Sequence, residues 1–462
     1  MRAEVWAEAE KAKAQREREP LREYRLILGH APRAKQVGET PYRWCWVEPT
    51  VWTDRMLTAL DEGVKGQVWY SLIDKVYSGS NLRAAMIRVE ANKGAAGVDH
   101  IGVEEFCHNG LAQVKTLGEQ LQAGTYQPQS IRRVYIPKPG STEKRPLGIP
   151  TVRDRVVQKA IVHVLEPIFE RDFAESSYGF RPGRGCQQAL EKVGALLGEG
   201  YQYVVDADLK SYFDTIPHER LLQRVREKVA DSRLLRLVES YLKVGILEGT
   251  KEWTPTEGAP QGAVLSPLLS NIYLDPLDHL MKASGIEMVR YADDFVILCR
   301  SKAEADRALE LVQAWVSENE LTLHPTKTRV VDASTESFEF LGYRYERGDC
   351  FVRKKSVDKL KETVRAKTKR SNGNSLKVVI ENLNRSLKGW FVYFEKCNER
   401  IFSSLDGWIR RRLRSLLRRR RKRRGISRHG ADEARWPNKF FAEQGLFSLK
   451  IARAKPVDPH RR

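Results

Sequence analysis

The sequence predicts an α+β chain: a split βαβ, ferredoxin-like core of strands, helices and hairpins between about residues 130 and 345, followed by a purely helical module. Two patterns carry this expectation. Short β-branched, apolar runs alternate with amphipathic helical stretches up to about residue 345, and only helical periodicity remains beyond residue 355. Composition bounds it: 462 residues, 41% hydrophobic and 30% charged, describe a globular chain of two or three domains rather than a disordered one.

Taken in order, the stretch to about residue 49 is polar and weakly patterned, and AEAEKAKAQRERE within it reads as a solvated helix. From Trp52 to about Gln120 the periodicity is helical, broken at NKGAAGVD (92–99), whose glycines mark a turn. IRRVYIPKPGSTEKRPLGIP (131–150) reads as strand, turn and strand, a hairpin bearing Arg132, Arg133, Lys138, Lys144 and Arg145. DRVVQKAIVHVLEPIFE follows as an amphipathic helix. YVVDADLKSYFDTI (203–216) opens as a buried strand. Helical stretches run from Pro217 to about Val244, and SPLLSNIYLDPLDHLM (266–281) is a helix with Ser266 at its N-cap and Pro267 at its first position.

MVRYADDFVILC reads as two short strands about a turn, KAEADRALELVQAWVSENEL as a helix and FEFLGYRY as one further strand. In the helical module Leu376, Ile380, Leu383, Leu387, Trp390 and Phe394 share one spacing, which Ile409, Leu413, Leu416 and Leu417 repeat.

Charge and cysteines narrow the function. Lys and Arg number 80 against 60 Asp and Glu, a net +20 that implies a polyanionic partner. From Arg410 onward 19 basic residues face 4 acidic ones, so +15 of the +20 sits there. The six cysteines are far apart in the sequence and form no CxxC knuckle, so they are read as reduced structural thiols. A charged N-terminus and the lack of any apolar run of about 18 residues exclude a signal peptide and a membrane span, and the expected setting is cytoplasmic and nucleoid-associated.

The acids carry the chemistry. Asp293 and Asp294 lie side by side in VRYADDFVILC, and neighbouring side chains serve one site only at a turn or strand end. An acid pair alone is more often a solvated turn. Asp208, at the end of a buried strand, is the third acid, because a carboxylate there needs a cation or donors. Asp206 and Asp214 compete for that role, but Asp206 lies earlier on the same strand and Asp214 past its end. Three carboxylates on adjacent strand ends can hold two Mg²⁺ ions about 3.5–4 Å apart, the arrangement that activates a 3′-hydroxyl and stabilises a leaving pyrophosphate.

YADD at 291–294, DLKSYFD at 208–214, APQGAVLSPLLSNIYLD at 259–275, IPKPGSTEKRPLGIP at 136–150 and NKGAAGVD at 92–99 together resemble the ordered blocks of reverse transcriptases, most closely those encoded by bacterial group II introns. The resemblance implies a right-hand polymerase of fingers and palm over 51–345, after an N-terminal extension (1–50). A helical thumb and maturase module (346–424) and a basic maturase or DNA-binding tail (425–462) would follow. It implies Asp208, Asp293 and Asp294 as metal ligands for two Mg²⁺, and Lys138 and Arg145 as grips on the incoming triphosphate. Arg132, Arg133 and Lys144 remain surface charge or template contacts.

It also implies Phe213 as a ring that excludes a ribose 2′-hydroxyl, against the alternative of a core aromatic. Gln261 and Gly262 would touch the nucleotide sugar and primer, or simply form a helix-entry loop. Lys327 would be a proton donor to pyrophosphate, or a solvated lysine. Arg410, Arg411, Arg414, Arg418, Arg421 and Arg424 would meet RNA, whereas Trp436, Phe440 and Phe441 are read as core in preference to base-stacking rings.

The implied partners are the intron RNA, an RNA template with DNA primer, dNTPs and target DNA, with no membrane. No cysteine follows Cys397, so the paired-cysteine endonuclease of longer family members is not expected, and priming would use an existing 3′-end. Two rivals stand beside this reading: a splicing-only RNA-binding maturase, and a domesticated reverse transcriptase serving phage defence or diversification. The acid triad with Lys138 and Arg145 argues against the first. The maturase-like thumb and WPNKFF argue against the second.

Overall fold

The computed structural model describes residues 43–64, 68–137, 144–371, 373–421 and 430–454. The solvated helix expected in the N-terminal extension, Lys138 and Arg424 lie outside the described residues. Where the description begins, the chain already turns inward. Trp44, Val47, Val51 and Trp52 are buried, and the Trp52 indole donates to the His163 carbonyl at 2.9 Å.

The expected hairpin forms from β1 (Ile131–Pro137) and β2 (Lys144–Ile149), antiparallel with Arg132 opposite Ile149 and Ile136 opposite Arg145. β3 is Tyr203–Asp208. β4 (Ile246–Glu248) and β5 (Lys251–Trp253) complete a four-stranded sheet, β2-β1-β4-β5. β6 (Glu287–Tyr291), β7 (Asp294–Cys299) and β8 (Arg329–Asp332) join β3 in a second sheet, ordered β6-β7-β3-β8.

That order answers the fold expectation. In chain order the second sheet runs strand, helices, strand, strand, helix, strand, and its first strand sits centrally between the third and the fourth, as a split βαβ ferredoxin-like sheet requires. Burial explains the placement: Val204, Val205 and Ala207 of β3 and Phe295–Cys299 of β7 are fully buried, as central strands covered on both faces should be.

Two local expectations are corrected. FEFLGYRY is two strands, β9 (Ser337–Phe340) and β10 (Tyr343–Glu346), followed by β11 (Asp349–Val352). Leu341 and Gly342 take φ of 48° and 82°, which makes them the two central residues of a tight hairpin turn. The turn is hidden in the sequence because its first residue is apolar. The second correction concerns the helix Ser266–Ala283, whose N-cap is Leu265 and not Ser266. The Ser266 hydroxyl instead donates to the Pro260 carbonyl at 2.8 Å.

The described residues fall into two compact units, one drawn from Met1–Ala189, Ala207–Ile297 and Asp306–Thr328, the other from Leu190–Asp206, Leu298–Ala305 and Arg329–Arg462. In the first, the helix Val152–Glu170 is buried along nearly its whole length. Burial pushes the Glu166 carboxyl up to about 7, with Glu170 adding to the shift and Lys159 opposing it. A carboxyl raised in the folded state contributes stability that is lost as the pH rises from its ordinary value of 4.5 through about 7. Glu166→Gln is therefore expected to stabilise the chain by about 2–3 kcal/mol at pH 8 and by less than about 1 kcal/mol at pH 5. Urea unfolding at the two pH values checks this, and an equal effect at both would refute it.

In the second unit the helices Lys354–Lys367, Leu376–Phe394 and Arg400–Arg420 bury Leu360 and, of the stripe expected from spacing, Ile380, Leu383, Leu387, Phe394, Ile409, Leu413 and Leu416, whereas Leu376, Trp390 and Leu417 are half-buried. Asp406 accepts from the Ser448 hydroxyl and from the Leu449 and Lys450 amides, tying the short helix Leu449–Ala454 back to Arg400–Arg420. The described cysteines are free, and Cys350 and Cys397, 47 residues apart, approach to 3.8 Å between sulfurs. Among the described residues no helix is long and apolar enough to cross a membrane.

Candidate active site

The site grows from the end of β3. Beyond its buried run the strand is held by main-chain bonds: the Lys210 amide donates to the Thr322 carbonyl at 2.8 Å and the His324 amide to the Asp208 carbonyl at 2.7 Å. This pairing brings Lys327 alongside, and its ammonium donates to the Asp208 carboxylate. Asp206, the rival third acid, lies opposite Arg329 on β8 with an ion pair of 3.8 Å, a structural role. Asp214 lies past the strand and accepts a 3.4 Å bond from Gln261.

Asp293 sits in a two-residue turn between β6 and β7, and Asp294 is the first residue of β7. Burial pushes the Asp293 carboxyl above the ordinary aspartate range, and the Asp208 charge pushes it further. Arg145 on β2 and Arg290 on β6 oppose the shift. Sequence-distant Asp208, Asp293 and Arg145 thus share one electrostatic environment. Among the described residues no three potential ligand side chains are gathered into a preformed cation cluster. The chemistry of the donors still fits a cation: two carboxylates, Asp208 engaged by an ammonium and Asp293 raised by burial and like charge, are groups that a divalent ion would stabilise in the ionised form.

The turn is strained and held. Ala292 takes φ of 60°, a left-handed conformation that costs a residue with a Cβ about 1–2 kcal/mol. Gly179 presses on it so closely that a Cβ there would stand 2.3 Å from the Ala292 nitrogen, so only glycine fits. The Tyr178 amide donates to the Arg290 carbonyl at 2.8 Å and the Arg290 amide to the Ser176 carbonyl at 2.9 Å. Beneath the turn Arg290 is fully buried and ion-paired with fully buried Asp278, while its Nη1 donates to the Ala292 carbonyl at 2.9 Å and to Asn271 Oδ1 at 3.0 Å. Sequence reasoning missed Gly179, Asn271, Asp278 and Arg290. The available signal was an arginine inside an otherwise apolar strand, which demands a partner.

Of the residues expected on the nucleotide side, Gln261 and Gly262 border β2, and Phe213 lines a cavity that β2 also walls through Pro146. Phe213 is half-buried and, with Arg133, Pro146, Trp253 and Pro260, lines a cavity of ≈ 340 Å³, so it is not a plain core ring. Arg133 lies over the Trp253 ring at 5.0 Å, and Arg132 is tied to the Ala96 carbonyl at 2.6 Å. Gly262 takes φ of 102°, and a Cβ there would stand 2.5 Å from the Gly148 carbonyl oxygen. The Gly148 amide donates to the Gln261 carbonyl at 2.6 Å. Gln261 and Gly262 therefore seat their loop against β2, the strand bearing Arg145.

Among the C-terminal arginines two RNA-facing expectations are corrected. Arg414 is only 4% exposed, and its guanidinium donates to the Trp436 carbonyl and to Asn438 Oδ1, each at 2.9 Å. Arg418 pairs with Asp432, itself 2% exposed, at 3.2 Å. Both hold the segment after residue 430 to the helix Arg400–Arg420 instead of presenting charge outward. Arg411 and Arg421 are exposed and Arg410 is half-buried. Trp436 and Phe441 are core, as expected, and Phe440 is half-buried.

Residues 136–345 match the family model described as reverse transcriptase (RNA-dependent DNA polymerase), and residues 357–436 match the group II intron maturase-specific domain. Protein YkfC of Escherichia coli (strain K12) is 35% identical over 295 residues, which cover 55% of this chain and 77% of that protein. The group II intron-encoded protein LtrA of Lactococcus lactis subsp. cremoris is 40% identical over 190 residues, 41% of this chain and 31% of that longer protein. Among solved structures, a chain of the partial Cas6-RT-Cas1–Cas2 complex is 27% identical, with 54% of this chain and 41% of that chain covered at a TM-score of 0.35. The chain belongs to the reverse transcriptases, RNA-dependent DNA polymerases, that carry a group II intron maturase-specific domain.

Proposed function

We propose that Asp208, Asp293 and Asp294 hold two Mg²⁺ ions, that the chain extends a DNA primer on an RNA template, and that it binds a group II intron RNA, assists its splicing and acts on target DNA in intron mobility. The observation that supports this reading most is that the Asp208 charge adds to the upward push on the buried Asp293 carboxyl while Arg145 opposes it. When bound, the two ions would supply the charge that activates the primer 3′-hydroxyl and stabilises pyrophosphate. The protein's own groups do the rest. Arg145 neutralises triphosphate oxygens beside the acids, with Lys138 assigned to the same task. Lys327, whose ammonium bonds Asp208, is assigned the proton donor to the leaving group. Gln261 and Gly262 fix the floor of the nucleotide site against β2.

The direct test supplies purified protein with a primed RNA template, dNTPs and Mg²⁺ and looks for full-length cDNA. No extension at any Mg²⁺ concentration would defeat the proposal. Phe213 is assigned the sugar gate because its ring walls a cavity instead of filling the core. Phe213→Val is expected to raise ribonucleotide incorporation relative to deoxyribonucleotide by about 10–100-fold in single-nucleotide extension, the discrimination one steric wall supplies. Unchanged selectivity would place the gate elsewhere.

A further inference from the structure

The Arg290–Asp278 pair has no part in the chemistry assigned above, yet it is built at the centre of the unit that carries the acids. Both side chains are 0% exposed. Arg290 Nε donates to Asp278 at 2.8 and 3.1 Å, Nη2 bonds the same carboxylate, and Nη1 divides its donors between Asn271 and the Ala292 carbonyl. Asn271 donates from its own Nδ2 to the Gly179 carbonyl at 2.8 Å, and Gly179 is the residue pressed against Ala292. Asn271 and Asp278 stand seven residues apart on Ser266–Ala283, two helical turns and so one face. A buried ion pair is weak evidence for stability, since apolar residues of similar volume usually serve as well. What an apolar pair cannot do is donate to the carbonyl that directly precedes Asp293.

We propose that Arg290, anchored by Asp278 and Asn271, is a positioning residue for the divalent-cation site: it holds the Ala292 carbonyl so that the turn keeps the Asp293 carboxylate beside Asp208. The inference rests on the reading that these acids bind the metal. It makes a prediction that simple electrostatics does not. Arg290 and Asp278 carry opposite charges side by side, so removing both together should leave metal binding nearly unchanged if charge alone matters. Loss of positioning should weaken it.

The experiment uses the full chain in three variants. Asn271→Ala keeps the ion pair but removes the Nη1 partner and the bond to Gly179. Arg290→Lys keeps the charge near Asp278 but cannot bond Asp278, Asn271 and Ala292 together. The double change Arg290→Met with Asp278→Leu removes both charges without leaving either unpaired. Calorimetric titration with Mn²⁺ alone, without nucleic acid, measures the site directly, and primer extension across a Mg²⁺ series gives the half-saturating concentration.

Mn²⁺ affinity is expected to fall at least about tenfold in each variant, with the Mg²⁺ requirement rising in parallel. The KM for dNTP at saturating Mg²⁺ and the affinity for RNA should stay within about twofold. Urea unfolding of the double variant separates fold from position: wild-type stability with weakened Mn²⁺ binding supports the proposal. Wild-type or tighter Mn²⁺ binding in a folded double variant overturns it. Asp293→Asn is the control for the underlying reading, since a wild-type Mn²⁺ isotherm in that variant shows that the acids do not bind the metal and defeats both.

Discussion

Asp293→Asn is expected to leave a chain that folds and binds RNA but makes DNA at least about 10³-fold more slowly at saturating Mg²⁺. The substitution is isosteric, so the turn at Ala292–Asp293 and its bonds to Arg290 survive. It removes the repulsion between Asp293 and Asp208, so stability should hold or rise slightly. The affinity supplied by distant basic surfaces is untouched, because phosphate binding and metal chemistry are separate terms. Single-turnover primer extension and filter binding of the same RNA measure the two. An extension rate within tenfold of wild type would remove Asp293 from the chemistry.

The raised Asp293 carboxyl adds a pH signature. In the proposed metal site protons would compete with the cation over a higher range than an ordinary aspartate near 3.9 would allow, so the Mg²⁺ requirement for extension should climb on acidification before that pH is reached.

The second large effect lies in the helical unit. Arg414→Ala is expected to destabilise it by about 2–4 kcal/mol, since the change opens a cavity and leaves the Trp436 carbonyl and the Asn438 side chain without their buried donor. Binding of structured RNA should then fail because the segment after residue 430 no longer docks. Arg411→Ala and Arg421→Ala alter exposed positions. They should leave stability within about 0.5 kcal/mol and flatten the salt dependence of RNA binding by roughly 0.7–0.9 in log–log slope for each phosphate that the variant no longer neutralises. Urea unfolding and a salt series of binding curves distinguish the two classes. If Arg414→Ala unfolds like wild type and changes only the salt slope, its guanidinium serves RNA and not the fold.

Eleven of the fifteen residues from Arg410 to Arg424 are basic, and in the sequence they look equivalent. Structure separates them because a guanidinium can also end inside, on a main-chain carbonyl or a buried acid, as Arg414 and Arg418 do. Trp436 and Phe441 are legible as core because burying large apolar rings is the default. FEFLGYRY reads as a single strand because Leu341 offers no turn signal and only its neighbour's glycine permits the reversal.

By itself the sequence determined the strand–helix alternation of the core, the hairpin of β1 and β2 and most of the apolar stripes of the C-terminal helices, and it put forward Asp208, Asp293 and Asp294 as the acids of the proposed site, each a matter of local pattern or residue chemistry. Tertiary structure alone decided that Asp208 and Asp293 repel one another, that Lys327 rests on Asp208, and that Phe213 walls a cavity. It alone decided, too, that Arg290, Asp278, Asn271 and Gly179 hold the strained turn beneath the acids. The physical reason is range: periodicity and propensity act over a few residues, whereas charge coupling and the satisfaction of buried donors depend on which distant segments the sheet brings within a few ångströms.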